Sequence, residues 1–479
     1  MRAAVEWLVF RGFATVVLVY FTVLNAFYLF TSLVAFGALR RYARRIKTLD
    51  LEELLAGAGA PPISLIAPAY NEEATCVEAT RSLLTLNYRE FEILVVNDGS
   101  KDTTLATLTD AFELEPAPRA ATADLTTKPV RGTYQSRRHR NLWVLDKENG
   151  GKADTLNAGL NFCRTPLFCA MDADSLLERD ALTRIVRPFL EDTTTIAAGG
   201  IIRIVNGCRV ERGTVTDVRL PTNWLARFQV LEYLRAFLAG RMGWSALNAT
   251  LIISGAFGLF RRSLVVEAGG YATDTVGEDM ELVVRLHRHC RERGIPYRIT
   301  FVPDPVAWTE CPETLRVLGR QRDRWQRGMT EVLLRHRHML LNPRYGIVGM
   351  LAYPYFFFLE MFGAAIEVSG YAAFILAVVL GRANGPYVVA FLAVAVALGI
   401  ALSVAAVGLE ELTFRRYPRV RDLLALFGLA VLEGFGYRQL ATLWRVRGFV
   451  SALRGKKGWG DMTRKGFAPA ARTQGGHAP

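Results

Sequence analysis

No charged residue occurs between positions 12 and 39, and this run decides where part of the chain must live. As a helix it exceeds the roughly 20 residues needed to cross a hydrocarbon core about 30 Å thick. It is also too long for the apolar region of a signal peptide, and no small-residue cleavage site followed by a polar start comes after it. Arg40, Arg41, Arg44, Arg45 and Lys47 follow at once, while only Arg2 and Arg11 precede it. Because cytoplasmic flanks carry the excess of Lys and Arg, the N-terminus is expected outside and the chain after Arg40 in the cytoplasm.

Apolar character returns near Gly346. Positions 350–380 are interrupted only by Glu360 and Glu367, and 383–409 are uncharged. A last run, 423–444, is broken by Glu433 and Arg438. The middle run reads as a span. Its predecessor is long and holds Pro354, so its first part is expected in the interface; the last run, basic on both flanks, reads either as re-entrant or interfacial or as a span at which the charge rule fails. Ionised groups are costly at membrane depth, so Glu360, Glu367, Glu433 and Arg438 should face a protein interior or a water path, or pair with one another.

Between these segments the chain is water-soluble in character. With 51% hydrophobic and 22% charged residues it is neither disordered nor collagen-like. The net charge of +13 gathers beside the apolar runs, where lipid headgroups account for it, so no nucleic-acid partner is expected. The six cysteines form no C-x-x-C pair and no zinc spacing, as expected of reduced thiols in a cytosolic domain.

From about residue 47 to 344, short apolar runs alternate with amphipathic stretches. Residues 63–67, 91–97, 142–146 and 167–171 read as buried strands, each followed by a polar turn and then a helical pattern over 71–86, 102–108, 152–161 and 178–190. Strand, turn and helix repeated this way predict an α/β fold, a doubly wound sheet of parallel strands. Ligands bind such sheets beyond the carboxyl ends of the strands. Positions 115–140, rich in Pro, Ala, Thr and Arg without apolar periodicity, read as an insertion or flexible loop.

The turns after the strands are chemically unusual. They read Pro68-Ala69-Tyr70-Asn71-Glu72-Glu73, Asn97-Asp98-Gly99-Ser100, Lys147-Glu148-Asn149-Gly150-Gly151-Lys152-Ala153-Asp154 and Asp172-Ala173-Asp174-Ser175. Neither a G-x-G-x-x-G dinucleotide fingerprint nor a phosphate-binding P-loop is present. Asp172 and Asp174 flank one small residue, so both carboxylates can approach a single hard cation, Mg²⁺ or Mn²⁺, leaving room for a diphosphate. Gly277-Glu278-Asp279 opens a predicted helix, where an acid can also serve as N-terminal charge alone. The stretch Gln321-Arg322-Asp323-Arg324-Trp325-Gln326-Arg327 fits either a site or an interfacial helix against anionic headgroups.

In this order the constellations resemble the processive family-2 glycosyltransferases, the group of cellulose, hyaluronan and bacterial poly-N-acetylglucosamine synthases. The resemblance runs from about residue 63 to 327 and includes the membrane layout. It implies a cytosolic GT-A (Rossmann-like) domain over 46–345, between an N-terminal helix and basic flank (1–45) and C-terminal membrane or interfacial helices (346–445), with a basic tail (446–479). It implies uridine binding by Asp98, nucleotide contacts at Tyr70, Glu72, Lys152 and Asp172, and metal binding by Asp172 and Asp174. Asp279 takes the place of the catalytic base. Ser254, Gly255, Glu278, Gln321, Arg324 and Trp325 take acceptor or diphosphate positions, and the tail 459–466 is similar to that of poly-N-acetylglucosamine synthases. The departures are glycine at 277 where relatives carry threonine, the 115–140 insertion, and one leading span where several relatives have two.

The resemblance implies an inverting, metal-dependent hexosyltransferase in the cell membrane, multi-pass with a cytoplasmic site. It would polymerise a UDP-sugar, UDP-N-acetylglucosamine first, into a β-linked glycan and export it. Its partners would be the donor, a growing glycan or lipid acceptor, membrane lipids and accessory export subunits. Two alternatives stay open: transfer of a single sugar to a membrane lipid, and a cellulose- or hyaluronan-type polymer from another UDP-sugar. A non-catalytic channel or sensor is disfavoured because all the acids are present.

Overall fold

The computed structural model describes residues 2–48, 59–172, 175–211, 213–414, 416–417 and 419–456. Asp174 and the tail motif at 459–466 lie outside the described residues.

The strands are β1 (Ile63–Ala69), β2 (Phe91–Asn97), β3 (Leu114–Pro116), β4 (Val130–Ser136), β5 (Leu142–Lys147), β6 (Leu167–Met171), β7 (Leu176–Leu177), β8 (Thr195–Ile204), the small hairpin β9 (Arg209–Glu211) and β10 (Thr214–Asp217), β11 (Phe257–Arg261) and β12 (Arg298–Thr309), of which β1, β2, β5 and β6 form where the apolar runs predict them. Ten of them make one sheet in the order β3-β4-β5-β2-β1-β6-β11-β8-β12-β7. Its centre, β5-β2-β1-β6, is parallel as expected. The sheet as a whole is mixed, which corrects the expectation of a purely parallel one. Strand β11 runs antiparallel to both β6 and β8, and β8 then pairs β12 in parallel.

Alternating side chains of one strand feed separate cores on the two faces of the sheet. Ile63, Leu65 and Ala67 of β1 join Ile93, Val95 and Val144 on one face. Ile66 joins Leu94, Val96 and Leu145 on the other. The helix Lys152–Phe162 lies so close over β1 that a Cβ on Gly159 would fall 2.4 Å from Ile66 Cγ2.

Two local expectations are corrected. The helix expected from position 71 begins at Cys76 and ends at Leu84, because Asn71 takes a left-handed φ of 54° and the chain turns before it winds. The 115–140 stretch is not structureless. Its Val130–Ser136 segment pairs antiparallel with β5, and β3 pairs outside it. Half-exposed along most of its length, β4 carries no buried apolar run to reveal it.

Helix Arg2–Thr48 contains one candidate membrane span, Gly12–Ile46, and Gly385–Thr413 forms a second. The pair Val348–Met361 and Gly363–Val379, bent by 42°, would make a third if taken as one span. The last apolar run divides into helices Val420–Leu432 and Tyr437–Leu453, the latter starting after Gly436 at a φ of 109°. The four charges flagged in these segments are partnered inside the protein. Glu433 meets Arg235 and, at 3.5 Å, Arg438. Glu360 meets Arg445 at 3.0 Å, and Glu367 accepts from Thr442 at 3.0 Å.

These helices are joined to the sheet domain. Val17, Tyr20 and Phe21 of the first helix share a core with Met280 and Val284, which follow Asp279 in sequence. Arg203 in β8 reaches both carboxylate oxygens of Glu410 in the second span at 2.8 Å, with both side chains at most 4% exposed. Arg445 also donates to Gln326 at 3.0 Å, tying the last helix to the helix Leu315–Arg335.

Candidate active site

The carboxyl ends of β1, β2 and β5 build one corner. Asp98, 3% exposed, follows β2, and its backbone N–H donates to Ala69 O at 2.9 Å. Its carboxylate accepts four hydrogen bonds: from Lys147 Nζ at 2.7 Å, Gly150 N at 2.9 Å, Gly151 N at 2.8 Å and Asn149 Nδ2 at 3.1 Å. A carboxylate offers about four lone-pair sites, so this one is filled. Lys147 is fully buried and also reaches Asp154 at 2.6 Å. Glycine is required where the loops close. Gly99 has φ +65°, and a Cβ there would fall 2.8 Å from Asn149 N.

Tyr70 and Glu72 sit at the rim of this corner. Tyr70 is 44% exposed. Glu72 accepts from the Thr75 hydroxyl at 2.6 Å, and its N–H donates to Thr104 Oγ1 at 2.9 Å. Asn71 and the Ser100–Lys101 turn exchange two hydrogen bonds that close the rim.

A second corner forms where Lys152, Asp172, Glu278 and Asp279 meet. Lys152 Nζ lies 2.6 Å from Asp172 Oδ1 and 3.3 Å from Glu278 Oε1. Burial opposes the lysine's charge, but Asp172, Glu278 and Asp279 outweigh it and push its pKa well up. Burial raises the carboxyl of Glu278, as does neighbouring Asp279, while Lys152 and Arg324 act the other way. Asp279 opens the helix Glu278–Arg293 and accepts from Met280 N at 2.8 Å and from Gly255 N at 3.1 Å. A Cβ on Gly255 would fall 2.7 Å from Lys152 Nζ, so glycine lets the backbone approach both groups. Ser254 caps the same turn, accepting from Ala256 N at 3.4 Å. A small cavity opens between Lys152, Tyr271, Glu278 and Asp279.

The Gln-x-x-Arg-Trp residues lie on Leu315–Arg335. Gln321 is buried and Trp325 is 43% exposed. Arg322 stacks on the Trp325 ring at 4.4 Å and binds Glu232 at 2.8 Å, and the Tyr233 ring lies 6.5 Å from the indole at a tilt. Arg324 acts electrostatically on Glu278, linking this helix to the acidic corner.

Three participants were not singled out from sequence. Lys147 looked like one more polar turn residue. Tyr271 sits beside an apolar stretch, its backbone clamped by Asn157 through bonds of 2.7 and 2.9 Å. Arg241 ends a π-helical segment, Leu234–Arg241; burial draws its pKa down to about 10, against the pull of Asp279.

Among the described residues no three His, Cys, Asp or Glu side chains gather as a metal cage, and Asp174 is not among them. The carboxylate oxygens of Asp172 and the D-x-D pattern nevertheless match the donor chemistry of a hard divalent ion.

Comparison with known proteins bears on family and fold. "Glycosyl transferase family 2" matches residues 64–265, and "Glycosyl transferase family group 2" matches 167–398. Poly-beta-1,6-N-acetyl-D-glucosamine synthase of Staphylococcus aureus is 30% identical over 274 residues, 57% of this chain and 56% of that protein. The Staphylococcus epidermidis protein of the same name is 28% identical over the same shares. The chain therefore aligns with little more than half the length of these relatives. A mannosyltransferase from Pyrobaculum calidifontis, solved with GDP-Man and Mn²⁺, shares the fold at TM-score 0.51 and 18% identity, covering 91% of this chain and all of that one.

Proposed function

This chain belongs to the family-2 glycosyltransferases, and we propose that it polymerises a UDP-sugar, UDP-N-acetylglucosamine first, into a β-linked glycan at the cytoplasmic face of a membrane. The observation that carries the reading is the convergence of Lys152, Asp172, Glu278 and Asp279, from three separated stretches of chain, on one corner at the strand ends. The sequence match to poly-beta-1,6-N-acetyl-D-glucosamine synthases supports the choice of sugar.

In this reading Asp279 accepts the proton of the acceptor hydroxyl as that oxygen attacks the anomeric carbon. The hydrogen bonds from Gly255 N and Met280 N hold the carboxylate in place. The bond to the departing diphosphate breaks in the same displacement, so an α-linked donor gives a β-linked product. Lys152 and Arg324 supply fixed positive charge toward the leaving oxygens. A divalent ion held by Asp172 and Asp174 would supply Lewis-acid neutralisation of the diphosphate. Trp325 offers its exposed ring surface to an acceptor sugar. Because the core beneath the Asp279 helix includes the first membrane helix, product would leave directly along the apolar segments.

Membranes containing the protein, given single UDP-sugars, test this. Polymer from UDP-N-acetylglucosamine with release of UDP is expected. Turnover of UDP-glucose alone would overturn the donor, and a product of one sugar on lipid would overturn polymerisation.

A further inference from the structure

The segment entering the base helix and the helix carrying Gln-x-x-Arg-Trp meet in a regular antiparallel register. Asp274 accepts two bonds from Arg335, at 3.0 and 2.7 Å. Glu331 Oε2 accepts from the Thr275 hydroxyl at 2.9 Å and from Val276 N at 3.2 Å. Gly277 lies against Gly328, backbone on backbone. A Cβ on Gly328 would fall 2.9 Å from Gly277 Cα, and one on Gly277 would fall 3.0 Å from Gly328 Cα. Beyond them, Arg324 bears on Glu278. Positions 324, 328, 331 and 335 are spaced by four, three and four, so they share one face of an α-helix. Successive turns of one helix thus engage successive residues of 274–278, and the ladder ends at the residue before Asp279.

We infer that this register is a positioning device: Glu331 and the Gly277–Gly328 contact fix the distance between the proposed base Asp279 and the proposed diphosphate group Arg324. It accounts for the glycine at 277. Gly328 presents only backbone there, and a branched side chain would pry the two segments apart. The residues of the register do not touch substrate; they act through Asp279 and Arg324, and the inference rests on the roles proposed for that pair.

The test is steady-state transfer by the full-length protein in membranes or detergent, scored per UDP-binding-competent molecule. Gly328→Ala should lower kcat about a hundredfold, the scale of a misplacement near 1 Å. Glu331→Ala should lower it about tenfold with donor KM unchanged, since the loss falls on geometry in the transition state. Glu331→Gln keeps an oxygen for both donors and should stay within about twofold of the parent. Parental kcat in Gly328→Ala or in Glu331→Ala would overturn the register, as would an equal fall in both Glu331 variants. A parent that transfers no sugar would instead overturn the roles of Asp279 and Arg324 on which the register rests.

Discussion

The two corners of the site are built from the same kinds of residue and differ in what their charges are free to do. At Asp98 every carboxylate lone pair is taken by a donor of the protein, and the lysine opposite is fully buried. At Lys152 one ammonium is shared by Asp172 and Glu278, with Asp279 and Arg324 close enough to act on the same cluster. A saturated carboxylate holds a loop in shape. A cluster in which one ammonium is shared between carboxylates can exchange partners when a phosphate or a proton arrives. The proposed reaction draws on the second corner, and the contrast predicts that the first serves mainly as a rigid edge beside it.

Three substitutions bear on that contrast. The largest effect on turnover is expected from Asp279→Asn, which keeps the shape but cannot take a proton. Transfer should fall by about 10²–10⁴, the usual worth of a general base, with UDP binding and thermal stability unchanged. Undiminished polymer would remove Asp279 from that role. Lys152→Met should follow, with transfer down about 10–10²-fold as fixed charge is lost, and with a moderate loss of stability because the buried Glu278 loses its counter-charge while Asp172 is partly exposed. A large drop in unfolding temperature with normal turnover would make it a structural lysine like Lys147. Asp98→Asn should reverse the pattern, costing about 3 kcal/mol of stability by leaving buried donors and a buried lysine short of a partner. Its effect on turnover per folded molecule should be the smallest of the three. If that variant keeps its unfolding temperature and loses UDP binding, Asp98 contacts the nucleotide directly and the contrast between the corners fails.

Much of this was legible before the structure because strand ends concentrate chemistry. Asp98, Lys152 and Asp172 each follow a buried apolar run, and Asp279 opens a helix whose apolar positions are plain in the sequence. Pattern alone does not show how many lone pairs a carboxylate has already committed, so Asp98 and Asp172 looked alike. Lys147 was hidden for a related reason: a lysine in a polar turn reads as solvated, and only the fold brings Asp98 and Asp154 to it. Arg241 lies among apolar residues whose pattern carries no sign of the carboxylate they approach. The mixed half of the sheet was obscured because long helical connections separate β8, β11 and β12, so their pairing depends on contacts far apart in sequence.

The Arg203–Glu410 pair has a consequence for how this protein can be divided. It fastens β8, an inner strand of the sheet, to a helix that the hydropathy pattern assigns to the bilayer, with both charges out of water. Cutting the chain ahead of that helix would leave a buried guanidinium without its counter-charge, a loss of about 3–5 kcal/mol for pairs of this kind. Enzyme and anchor are then one cooperative object rather than a soluble catalyst on a tether. A fragment ending before residue 385 should not fold as an active enzyme, and the intact chain should unfold in a single calorimetric transition; two well-separated transitions would show that the halves are autonomous.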